Sequence, residues 1–101
     1  MTARTRLVYF ISDPYSDARL PVAAMLQDGD DTGVVRAVVR ELPPSAQSAV
    51  ARALADIEDL HDFDALPIGA GPHFVMGEPR LLPAGVSDPR RWVLDNLLRA
   101  A

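Results

Sequence analysis

His61 stands within three residues of Asp59, Asp62 and Asp64, the densest set of potential metal ligands in the chain; His73 is the only other histidine. A histidine among carboxylates can hold a divalent cation, and a histidine poised near a hydroxyl can act as a general base. The spacing argues against both. Consecutive ligands in a loop lack the helical i, i+4 placement that makes such motifs specific. The serines at 12, 16, 45, 48 and 87 lie at turns or helix starts, and none sits in a Gly-x-Ser-x-Gly elbow. Asp28, Asp30, Thr32 and Gly33 open like a calcium loop, but its twelfth position is Val39, not a carboxylate. Gly69-x-Gly71 runs into proline, with no helix behind it to receive a phosphate. The sequence predicts neither metal nor cofactor.

Absences sharpen this. There is no cysteine, so disulfides, thiolate nucleophiles and cysteine-based zinc sites are excluded. All ten basic residues are arginine, the habit of a GC-rich bacterial-like genome, and without lysine there is no Schiff-base chemistry. The net charge of −4 argues against nucleic acid, which is met by basic domains or stripes. No apolar run approaches the roughly 18 residues of a membrane span, and no h-region follows the basic N-terminus. A cytoplasmic protein without a secretory leader is expected.

The elements that must position any site follow from pattern. Arg6 to Ile11 is an unalternating apolar run, suited to a strand buried on both faces and ended by Ser12-Asp13-Pro14. Leu20 to Leu26 reads as a second strand with Pro21 near its start, and Asp28 to Gly33 as a turn. In Val34 to Arg40 the valines at 34, 35, 38 and 39 fit a helix, while the same residues also alternate as a strand. Four valines after a glycine favour the strand and a hairpin. Behind Pro43-Pro44, Ala46, Val50, Ala53, Leu54, Ile57 and Leu60 form a helical stripe that ends by His61. Pro72 to Met76 gives a short strand, Arg80 to Gly85 reads as irregular, and Asp88-Pro89 starts a second helix with Val93, Leu94, Leu97 and Leu98 inward. One domain over residues 1–101 is expected, of α+β class. Its small antiparallel sheet has three to four strands covered on one face by two helices, in the order β-β-β-α-β-α.

Charge topology is the remaining signal. Asp56, Glu58, Asp59, Asp62 and Asp64 crowd the far end of the first helix, where the helix dipole disfavours negative charge. Together with Phe63 or Trp92 they form the expected partner-binding surface of a non-enzymatic module: an accessory subunit, an inhibitor or an antitoxin-like protein that meets a larger, basic partner. Internal pairing with Arg80, Arg90 or Arg91 is the competing explanation. The alternative function is a small hydrolase or metal-dependent enzyme using His61 or His73 with nearby aspartates. A homodimer with a composite ligand pocket is a third possibility.

Overall fold

A computed structural model describes residues 3–11, 19–29, 31–37, 42, 44–60, 62–64 and 73–98. Strand β1 (Arg4–Phe10) is central. It pairs antiparallel with β2 (Leu20–Asp28) on one side, and with β4 (Phe74–Met76) and the two-residue β5 (Arg80–Leu81) on the other. Strand β3 (Asp31–Arg36) pairs antiparallel with β2, giving the order β3-β2-β1-β4 with β5 also beside β1. The valine segment is therefore a strand from Val34 to Arg36, and the hairpin expected for it forms; residues 38–40 lie outside the described set. Its turn is tighter than Asp28 to Gly33: Thr32 and Gly33 already belong to the strand, and Gly29 takes the left-handed bend at φ 63°. The register shifts between Val8 and Tyr9, beside Pro21, which has no amide to give a ladder.

β5 is an addition to the expected elements. Pro83 does keep Arg80 to Gly85 from forming a longer strand, but Arg80 and Leu81 still pair with Thr5 and Arg4. β4 and β5 act as one outer strand interrupted at Gly77-Glu78-Pro79. Gly77 donates its N–H to Leu7 O at 2.8 Å, and a Cβ on it would press within 3.2 Å of the Tyr9 ring.

The class and the element order are as the sequence predicts, but the helices do not share a face. Successive strand residues point to opposite sides. Ala23, Met25 and Val34 join a core with Val8 and Phe10 under α1 (Pro44–Leu60), through its Val50, Ala53, Leu54 and Ile57. Ala24, Leu26 and Val35 join a second core with Val93 and Leu98. Those two residues come from α2 (Pro89–Val93) and the π-helical turn that continues it, Leu94–Leu98. The physical reason is the uninterrupted burial of β2 from Val22 to Leu26, which requires cover on both sides. Asp88 caps α2, its Oδ1 accepting the Arg91 N–H at 3.2 Å with Pro89 behind it, as expected from Asp88-Pro89. Among the described residues the one fully buried polar side chain, Thr5, donates to Met25 O at 2.8 Å.

Candidate protein-binding face

The amphipathic stripe of α1 fixes its rotation, so its acids emerge in two directions. Asp56 and Asp59, three apart on the outer side, are exposed, and among the described residues neither has an ion-pair or hydrogen-bond partner. Glu58 sits at the sheet margin and accepts from Arg36 Nε on β3 at 2.8 Å. That hydrogen bond holds its carboxyl below the usual value, against partial desolvation, with smaller help from the charges of Arg36 and Arg90. The same contact raises Arg36. No basic residue occupies the last turn of α1, so the negative helix end meets three acids and no cation on the helix itself.

Beyond the helix, Asp62 Oδ1 accepts the Asp64 N–H at 2.9 Å, closing an Asx turn. Asp64 lies 3.9 Å from Arg6, which also donates to the carbonyls of Asp64 and Gly77. Between them Phe63 is 2% exposed, with the Arg4 guanidinium 4.7 Å over its ring. Phe63 is thus a core residue under a cation and takes no place on the exposed surface. Trp92 is also misplaced by the sequence. It is half-buried against the α2-side core, so the whole sheet separates it from α1, and its carbonyl accepts from Asn96. The expected set therefore splits: Asp56 and Asp59 have no partner among the described residues, Glu58, Asp62 and Asp64 have contacts, Phe63 is interior, and Trp92 is on the far face.

The arginines that meet these acids are Arg36 and Arg6 rather than Arg80 and Arg91; Arg91 pairs with Asp95 at 3.2 Å. A signal for Arg36 was present: a hairpin whose second strand ends in arginine brings it under a helix crossing that face.

His73 makes a local clasp. Its Nδ1 lies 2.8 Å from Ile11 O, so Nδ1 carries the proton, and Ile11 N–H returns a bond to His73 O at 2.7 Å. Its ring packs against Phe10 at 6.1 Å. Among the described residues no carboxylate hydrogen-bonds it, and no trio of His, Asp or Glu is placed to hold a metal. His61, Asp30 and the Gly69–Gly71 pair lie outside the described residues. A hollow of about 150 Å³, lined by Ala3, Asp28, Leu82 and Ser87 among others, is smaller than ordinary ligand pockets. Compared with protein-family models, curated proteins and solved structures, the chain matches none.

Proposed function

We propose that this chain is a non-enzymatic protein-binding module, an accessory subunit or inhibitor in kind, that presents the outer side of the C-terminal half of α1 to a basic surface on a larger protein. The observation carrying this reading is the contrast among five neighbouring acids. Glu58 and Asp62 accept hydrogen bonds within the fold and Asp64, itself exposed, lies 3.9 Å from Arg6, while Asp56 and Asp59 are exposed without a partner among the described residues. At a helix C-terminus each such charge costs about 0.3–1 kcal/mol, and an acid kept there at a cost to folding is explained by what it meets outside. Long-range attraction between an acidic face and a basic one speeds encounter and excludes like-charged competitors.

The test is charge reversal with Asp56→Arg and Asp59→Arg together. The immobilised full chain should retain a discrete protein from native-host lysate at low salt and release it as salt rises; the reversed chain should not retain it. Its melting temperature should stay level or rise, because arginine suits that helix end. A reversed chain that melts lower yet keeps the same bound protein would make the two acids structural.

A further inference from the structure

We propose that Arg90 is a removable plug on the outer edge of β3, which pairs with no second strand among the described residues, and that a second copy of this chain pairs there, β3 against β3, once the guanidinium is withdrawn. This is independent of the acidic face on α1. Ala37 N–H bonds inward to Val22 O. By the alternation of an antiparallel ladder, Gly33 and Val35 therefore turn their backbone groups toward β2, and Thr32, Val34 and Arg36 turn theirs outward. The outward carbonyl of Val34 is taken by Arg90 Nη2 at 2.9 Å. Among the described residues no other group meets these outward amides and carbonyls.

Arg90 reaches the edge from the α2 face by crossing Gly33. A Cβ built there would stand 3.0 Å from Arg90 Nη1, so the bare glycine gives the guanidinium room against the backbone that a side chain would narrow. Glu58, on the α1 side of the same edge, attracts Arg90 as well. The opposite margin of the sheet is guarded differently: the break at Gly77-Glu78-Pro79 interrupts it, and proline has no amide to offer. β3 is the margin with an unbroken run of outward groups, and such a row is a template for pairing.

A second copy suits it. An antiparallel pairing centred on Val34 sets Val34 against the partner's Val34 and Thr32 against the partner's Arg36. On the other face Gly33 meets the partner's Val35, and Asp31 meets the partner's Ala37. No like charges are opposed anywhere along the pair.

The experiment is sedimentation up to about 1 mM, a range in which even marginal association registers. Wild type should remain monomeric, whereas Arg90→Ala should dimerise at least about tenfold more tightly. Gly33→Ala, which keeps every charge but crowds the guanidinium, should move in the same direction. Adding Thr32→Pro to Arg90→Ala should restore the monomer, because that amide points outward and costs no internal bond. Independently of any variant's folding, wild-type Thr32 and Arg36 amides should exchange with solvent much faster than Gly33 and Val35. A folded, monomeric Arg90→Ala chain would overturn the proposal. So would a dimer indifferent to Thr32→Pro, or protected Thr32 and Arg36 amides in wild type.

Discussion

The two faces of the sheet pose the same problem, an apolar surface to cover, and solve it unequally. On one side α1 spans 17 residues and lays a continuous stripe of Val50, Ala53, Leu54 and Ile57 onto the sheet. A helix of that length has some stability of its own in reach. On the other side α2 has five residues before it widens into a π-helical turn, far below the length at which a helix survives alone. It is held by particular anchors: the Asp88 cap, the Arg90 bond to β3 and the burial of Val93 and Leu98. One face relies on pattern and the other on contacts. The face secured by pattern keeps a helix surface to spare, and that is where the acids without a partner among the described residues stand.

The largest expected effects come from emptying each core. Ile57 is 1% exposed and Val93 is fully buried. Ile57→Ala should cost about 2–5 kcal/mol in urea unfolding, and Val93→Ala about 1.5–3 kcal/mol. Because the two residues belong to separate cores on opposite faces, the double variant should be additive to within about 0.5 kcal/mol. A larger coupling would show the cores to be one unit and dissolve the distinction.

Asp88→Ala comes next. Loss of the cap should cost about 1 kcal/mol. Amide exchange should quicken across residues 89–98 and leave α1 untouched. Faster exchange in both helices would mean that α2 is not a separately anchored element.

The smallest effect is pH-dependent. Arg36 holds the Glu58 carboxyl below its unperturbed value of 4.5, so the charged form is favoured by folding. Stability from this pair is complete above that value and is lost as pH falls through the lower folded-state value. Both side chains are about two-fifths exposed, so solvent screening limits the contribution to about 0.5 kcal/mol or less. Glu58→Gln should flatten this acid limb without altering the melting temperature at neutral pH by more than about four degrees. An unchanged acid limb in that variant would remove the pair from the stability of the α1 side.

Most of the elements were legible because periodicity and turn chemistry agreed: the α1 stripe, the Asp88-Pro89 start and the valine hairpin each rest on two local signals. The placement of helices on both faces was half-legible. Arg6 to Ile11 reads as buried on both sides, which demands two covers, but in the structure Leu7, Tyr9 and Ile11 are only half-buried and the strand buried on both faces is β2, from Val22 to Leu26. The fate of the acids was not legible. Whether Glu58 meets Arg36 or Arg90, and whether Phe63 points in or out, depends on how α1 and the turn after it lie against the sheet, and residue spacing carries no record of that. Trp92 was misassigned for a related reason: its helix packs on the face opposite the acids.

The central claim is that Asp56 and Asp59 face a partner while the α2 side does not. Amide and indole shifts of the isotopically labelled chain, followed by NMR during titration with the protein it captures, test this most directly. The largest changes should map to Asp56, Asp59 and the exposed α1 residues between Arg52 and Asp59, with the Trp92 indole and residues 89–98 unmoved. Shifts centred on Trp92 and α2, with the outer side of α1 silent, would contradict it.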